Sequence, residues 1–364
     1  MSSKVTIYDI AREAQVSVAT VSRILTGSAP VNPETKEKVE AVLQKYAFRP
    51  NRAARNLSYQ RSTMIGVILP DITNPFFSTL FAEMQRHAIA RDYSLLLFNA
   101  MNNLALESDG LAYLSRHQVD GLIFLGGRVN EVTPPLEYQK EIAAVSSKVP
   151  TVIVNGSMPN ISAVTICTDE QSGIAQVVDY LAGLGHRRIA FLGGSDHITV
   201  TRNRQHAFRE EVARLGLTVH DHWLITDGFS IESGEKAMEA LLEVPDQPTA
   251  VIAINDLVAL GILKAARRHH IDVPRDLSLV GFDDVYLTSV SSPELTSVSH
   301  NYEAFGRVIV ETIIKRIKSE ETPSVDSGSH AVGHSRLLSA PCQLTPPSSF
   351  IQTESDRRGR IRSC

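Results

Sequence analysis

Between residues 64 and 281 the chain alternates short apolar runs with longer helical stretches, and that rhythm admits few folds. Runs such as Met64–Leu69 (MIGVIL) and Thr151–Val154 carry no polar alternation, as strands buried on both faces do not. Further strands are expected at 93–98, 120–125, 188–192, 223–226, 250–254 and 277–281. Helices are expected at about 75–90, 105–117, 170–184, 201–215, 231–243 and 256–269. Strands joined through helices pair in parallel, with helices on both faces of the sheet. About ten strands exceed one ordinary sheet and fit two doubly wound subdomains.

Ligands of such sheets bind beyond the C-terminal ends of the strands. Asp71, Asn74, Phe76 and Phe77 follow the first run, Asn155 the fourth, Asn255 and Asp256 the run at 250–254, and Asp283 and Asp284 the run at 277–281. Arg204 and Phe229 stand at the starts of helices that follow strands. Aromatic faces beside Asn, Asp and Arg suit a sugar ring, whose apolar faces stack while its hydroxyls bond at the edges. Asp256 is expected to cap the helix that follows it. The turn Gly193-Gly194-Ser195 lacks the Lys-Ser/Thr of a phosphate-binding loop, and the pairs His220/His222 and His269/His270 lack a third metal ligand at useful spacing. No nucleophile-and-base constellation is visible, so no enzyme, cofactor or metal is expected.

Charge separates the N-terminal segment from the rest. Residues 1–62 carry ten Lys and Arg against five Asp and Glu, whereas the remainder carries 26 against 35. A basic end on an acidic body points to an anionic partner. The three cysteines, Cys167, Cys342 and Cys364, make neither a disulfide framework nor a zinc motif and fit a reducing compartment. With no apolar leader and no run of 18 apolar residues, a soluble cytoplasmic protein is expected, associated with the nucleoid if it binds DNA.

Within residues 1–48, Thr6 can cap a helix from Ile7, with Asp9 three positions on. Ser17 caps a second helix over about 18–25, and Asn32-Pro33 opens a third that runs to about Tyr46. In the second helix Val21, Ile24 and Leu25 share the packing face, while Val18, Ala19, Ser22 and Arg23 point elsewhere. Two short helices, a tight turn and a supporting helix are the geometry of a helix-turn-helix, which sets the start of its second helix in a DNA major groove. Residues 49–62 then hold Arg49, Arg52, Arg55 and Arg61 around Ala53-Ala54, a basic helix too short to stand alone in water but able to fold against phosphates.

The strings VTIYDIAREAQVSVATVSRILTG and VNPETKEKVEAVLQKYAFRPNRAARNL closely resemble the headpiece and hinge of the lac-repressor family of bacterial transcription factors. The resemblance implies that Val18 and Ala19 lie where the family reads operator bases, that Thr6, Ser17, Thr20, Ser22 and Asn32 lie where it contacts phosphates, and that Arg23 reaches a base edge or a phosphate. It implies that Asn51, Ala54 and Leu57 belong to the hinge helix, with Leu57 the minor-groove wedge. It continues through GVILPDITNPFF, VDGLIF, LGHRRIAFLGG, INDLVALG and GFDDVYLTSVSSPELTSV to about residue 320. It thereby implies a periplasmic-binding-protein-like core whose two subdomains are joined by three crossovers. Effector contacts then fall on Asn74, Phe76, Phe77, Asn155, Arg204, Phe229, Asn255, Asp283 and His300. At Arg204 the chain departs from the family pattern, reading Arg204-Gln205-His206-Ala207-Phe208 where a glycine normally precedes the aromatic.

The expected organisation is a helix-turn-helix domain at 1–48, a hinge at 49–62 and a core at 63–322. Its first subdomain takes about 63–162 and 292–322, its second about 163–291. Residues 323–364, rich in Ser and Pro, lack the family's last strand pattern and are expected to be a disordered or altered tail. The resemblance implies a repressor that binds a near-palindromic operator as a homodimer, controlled by a sugar or sugar phosphate in preference to a nucleoside. A transport binding protein would share the core but not the headpiece.

Overall fold

The computed structural model describes residues 5–26, 29–46, 48, 62–318, 329–331 and 336–338. The chain divides into two units at residues 63 and 64.

The first unit holds helices α1 (Ile7–Glu13), α2 (Val18–Thr26) and α3 (Pro33–Lys45). Each starts where a side chain captures otherwise unpaired backbone amides. The Thr6 backbone N–H and hydroxyl donate to the Asp9 carboxylate at 3.0 and 2.6 Å, and the hydroxyl bond is the main reason that this acid sits below its ordinary range. Ser17 Oγ accepts from the Thr20 N–H at 3.1 Å, and Asn32 Oδ1 from the Glu34 N–H at 3.0 Å. Ile10, Ala11, Ala14, Val21 and Val39 form a small buried core. Lys45 (2.6 Å) and the Tyr46 hydroxyl (2.5 Å) both donate to Glu13, tying the end of α3 to α1.

Among the described residues the second unit contains two six-stranded sheets. The first uses β1 (Met64–Leu69), β2 (Ser94–Asn99), β3 (Gly121–Phe124), β4 (Thr151–Val154), β5 (Ala163–Cys167) and β11 (Ser329–Ala331), in the order β11-β5-β4-β3-β1-β2 and wholly parallel. The second uses β6 (Ile189–Leu192), β7 (Leu224–Ile225), β8 (Ala250–Ala253), β9 (Ser278–Asp283), β10 (Thr296–Ser299) and β12 (Arg336–Leu338), in the order β12-β10-β9-β8-β6-β7. Its edge strand β12 runs antiparallel to β10, and the other pairs are parallel.

Helices α4 (Pro75–Ile89), α5 (Leu104–Arg116), α6 (Leu136–Ser146) and α11 (Tyr302–Lys318) cover the first sheet, while α7 (Glu170–Gly183), α8 (Thr199–Arg214), α9 (Ile231–Leu242) and α10 (Asp256–Arg268) cover the second. Alternation along β1 shows the two-sided burial: Ile65, Val67 and Leu69 pack with Met84 and Phe305, while Ile68 packs with Leu111, Leu114 and Ile142. Backbones of α9 and α10 approach so closely that a Cβ on Gly261 would stand 2.0 Å from the Ile231 carbonyl oxygen.

Four expectations from sequence need correction. Helix α6 and strands β5 and β10 have no counterpart among the elements expected from sequence, and the last two change the subdomain boundaries. Strand β5 pairs with β4, so residues 163–167 belong to the first sheet, not the second. Strand β10 pairs with β9, so residues 296–299 belong to the second sheet, not the first. The stretch after residue 322 is not wholly without structure: β11 extends the first sheet and β12 the second. Among the described residues, successive elements therefore change lobe three times: from β5 to α7, from β10 to α11, and from β11 to β12.

Candidate functional site

Helix α2 presents Ala19 and Arg23 to solvent, with Ser17 exposed at its cap. Val21 is fully buried beneath it, and Val18, Thr20 and Ser22 are half-buried. Val18 thus divides its surface between the small core and the outer face. Thr6 and Asn32, at the starts of α1 and α3, are exposed. Tyr8, unnoticed in the sequence, is 66% exposed on α1, a large aromatic surface for a unit of this size. Asn51, Ala54 and Leu57 lie outside the described residues.

In the second unit a cavity of about 790 Å³ opens at the C-terminal ends of both sets of strands. That volume lies within the range of small-molecule pockets. Asn74, Phe76, Phe77, Asn155, Arg204, Phe229, Asn255 and Asp283 all line it. Topology brings them together: Asn74, Phe76 and Phe77 open α4 after β1, Asn155 follows β4, Phe229 precedes α9, Asn255 follows β8, and Asp283 ends β9.

The three asparagines are held alike. Asn74 Oδ1 accepts from the Phe76 N–H at 3.0 Å, Asn155 Oδ1 from the Thr168 N–H at 2.8 Å, and Asn255 Oδ1 from the Val258 N–H at 2.9 Å. Each oxygen is committed to the backbone, so each side chain offers a ligand N–H donors. Asn255 commits one of these as well, donating to the Phe229 carbonyl at 3.0 Å. Phe76 and Phe77 meet edge to face with ring centroids 5.1 Å apart. Together these groups form apolar ring surface edged by fixed donors and by carboxylate acceptors.

Arg204 is 4% exposed and anchors the second lobe's side of the wall. Its Nε donates to Glu170 and its Nη1 to the Ile254 carbonyl, and Nη2 lies 3.6 Å from the Asp283 carboxylate. Burial opposes both charges, yet the Arg204 guanidinium holds the Glu170 acid below its ordinary value, and Glu170 with Asp283 holds Arg204 above its own. Glu170 stands 34 positions away in sequence and was not anticipated as its partner.

Two expectations fail here. His300 does not reach the cavity wall. It is buried behind Phe76, with ring centroids 5.3 Å apart, and its Nε2 lies 3.0 Å from Asp283 Oδ1. It orients the carboxylate that does line the cavity. Asp256 is not a helix cap, because Asn255 takes that position. Its buried carboxylate accepts from the Val285 N–H at 2.8 Å and the Ser297 hydroxyl at 2.6 Å, joining α10 to the loop after β9 and to β10. Burial first, and the Asp283 charge second, lift this acid well above its ordinary range.

A helix-turn-helix unit and a two-lobed parallel α/β core with a polar, aromatic-lined cleft define the class of DNA-binding regulators that carry a ligand-binding type of domain. The family "Bacterial regulatory proteins, lacI family" matches residues 6–51, and the periplasmic binding protein-like domain matches residues 178–334. Catabolite control protein A of Priestia megaterium is 34% identical over 323 residues, covering 88% of this chain and 95% of that one. The HTH-type transcriptional repressor CytR of Escherichia coli is 30% identical over 339 residues, covering 93% and 94%. The crystal structure of the lac repressor dimer bound to operator and the anti-inducer ONPF shares the fold, with a TM-score of 0.78, 24% identity, and 94% and 99% coverage. The complex of the transcriptional regulator CelR with cellobiose gives a TM-score of 0.67, 26% identity, and 92% and 99% coverage. The chain belongs to the lacI family of bacterial regulatory proteins and is a DNA-binding transcriptional regulator. Among the described residues no helix is long and apolar enough to cross a membrane.

Proposed function

We propose that this chain is a cytoplasmic, nucleoid-associated repressor whose operator affinity is set by a small polyhydroxylated effector, a sugar in the first instance, held in the cleft. The cleft wall carries the reading: three asparagines with oxygens fixed on backbone amides face aromatic rings and the Asp283 carboxylate. Such a wall recognises hydroxyls by position and ring faces by stacking. The relative solved with cellobiose supports a sugar. The lac repressor dimer bound to operator supports a homodimer on a two-fold symmetric site.

On this reading Ala19 and Val18 meet base edges by apolar contact, and Arg23 meets a base edge or a phosphate. Thr6, Ser17, Thr20, Ser22 and Asn32 meet phosphates and set the register. Asn51, Ala54 and Leu57 supply the hinge, with Leu57 as the wedge. Cleft closure around the effector shifts the angle between the lobes and so the spacing of the two hinge segments, a coupling between distinct sites through a two-state element. On this reading the protein binds its effector without transforming it, as befits a chain whose relatives are transcriptional regulators.

The test is operator affinity, by fluorescence anisotropy, with and without a sugar that raises the protein's melting temperature. A shift of about tenfold or more, in either direction, supports the reading. An affinity that ignores every sugar bound by the protein contradicts it.

A further inference from the structure

The carboxylates of the cleft narrow the ligand further than its general shape does. Among the described residues, five acids and one base line it: Asp71, Glu107, Glu131, Glu232, Asp283 and Arg204. Only one is a cation, and it is spoken for, because Arg204 is held by Glu170, Asp283 and the Ile254 carbonyl. Glu107 is buried against Arg128, whose Nε lies 2.8 Å from Glu107 Oε2. Asp71, Glu131 and Glu232 form no ion pair within 4 Å among the described residues. Asp71 instead accepts from the Thr73 N–H at 2.9 Å and its hydroxyl at 2.8 Å. The Glu232 acid is held below its ordinary range, first by a backbone hydrogen bond and then by the Ser230 hydroxyl, and stays ionised.

Helix starts at the cleft would ordinarily favour an anion. Here they are already served. Asn74 caps α4, Asn255 caps α10, and Ser230 caps α9, where Glu232 adds a negative charge in the first turn. Only α8 begins without a side-chain cap. Among the described residues, a phosphate entering the cleft would meet Asp71, Glu131 and Glu232 and no lining cation but the engaged Arg204, while Lys236 and Lys264 soften the Glu232 charge from outside the lining.

We propose that the cleft selects ligands without negative charge, so that its effector is an unphosphorylated sugar or other neutral polyhydroxylated ring and phosphorylated sugars are excluded. This deepens the effector reading given above and rests on it. Neutral hydroxyls lose nothing here, because each can donate to a carboxylate and accept from an asparagine N–H. Charge selection of this kind works by repelling the wrong ligand as much as by holding the right one.

The experiment uses the full-length protein and matched probes: glucose, fructose and ribose, each beside its terminal phosphate ester, and adenosine beside adenosine monophosphate. Melting temperature is screened first, and affinity is then measured by calorimetry. In any pair that binds, the neutral member is expected to bind at least about tenfold more tightly than its phosphate ester. The triple variant Asp71→Asn, Glu131→Gln, Glu232→Gln is expected to narrow that gap, read as the ratio of the two affinities within each pair and not as the affinity of the neutral member alone. A phosphate ester that binds the unaltered protein as tightly as its parent, or more tightly, overturns the charge selection and leaves the effector reading standing. No response to any of the eight probes overturns both.

Discussion

The guanidinium carbon of Arg204 lies 3.6 Å from the centroid of the Phe282 ring, so the only cation lining the cleft among the described residues is stacked on an aromatic face as well as paired with acids. Planar stacking with forked donors is a geometry that a lysine cannot reproduce. Removing it strands Glu170 as a buried charge. Arg204→Ala is therefore expected to cost about 3–5 kcal/mol in urea unfolding, and Arg204→Lys to recover part of that. A loss below about 1 kcal/mol for the alanine variant would show that the network contributes little.

Asn155→Asp tests the donor role assigned to the cleft asparagines. The replacement keeps an oxygen for the Thr168 N–H, and aspartate tolerates the left-handed backbone at φ +51°. It loses the amide donors and adds a charge. Melting temperature is expected to change little, while affinity for a neutral sugar that binds the unaltered protein falls about tenfold or more. Unchanged affinity would remove Asn155 from the site.

Asp256 predicts a pH dependence of stability. An acid raised on folding contributes stability that is complete below its unfolded value and is lost as pH climbs through the folded one. Its ordinary value is 3.8 and its folded value is well above that. Asp256→Asn cannot ionise, so the stability of the variant relative to the parent is expected to rise from about pH 4 upward and to be flat below. Urea midpoints taken across that window check it. A difference independent of pH would show that Asp256 titrates normally in the folded protein.

Ala19 is exposed on the outer face of α2 and has no hydrogen-bonding side chain. Ala19→Arg is expected to turn the preference at one symmetric pair of operator positions toward guanine, by about 1–3 kcal/mol, read by competitive binding to single-base variants. An unchanged base preference would place residue 19 away from the groove.

Much of this was legible in the sequence, for reasons that differ by element. Strands β1 and β4 match the runs Met64–Leu69 and Thr151–Val154 because strands buried on both faces are uninterrupted apolar text. Strand β5 is half-buried along most of its length, and β10 reads Thr-Ser-Val-Ser, so neither stands out by hydrophobicity. Their pairing partners, not their composition, place them. Eight of the nine effector positions expected from family resemblance line the cavity, because the βα rhythm alone delivers strand ends to one place. His300 was misplaced because a ring that orients Asp283 from behind and a ring that touches a ligand carry the same sequence signal. Arg204 with Glu170 and Asp256 with Ser297 are pairings 34 and 41 positions apart, for which sequence spacing holds no rule.

Selection of the purified full-length protein on a random pool of duplex DNA, read by sequencing at near-physiological salt, separates sequence-specific recognition from plain attraction to phosphate. Enrichment of one two-fold symmetric site is expected, with half-sites spaced as a dimeric helix-turn-helix protein requires. Salt-sensitive retention of DNA with no enriched sequence would contradict it, because phosphate attraction alone would then explain all the binding.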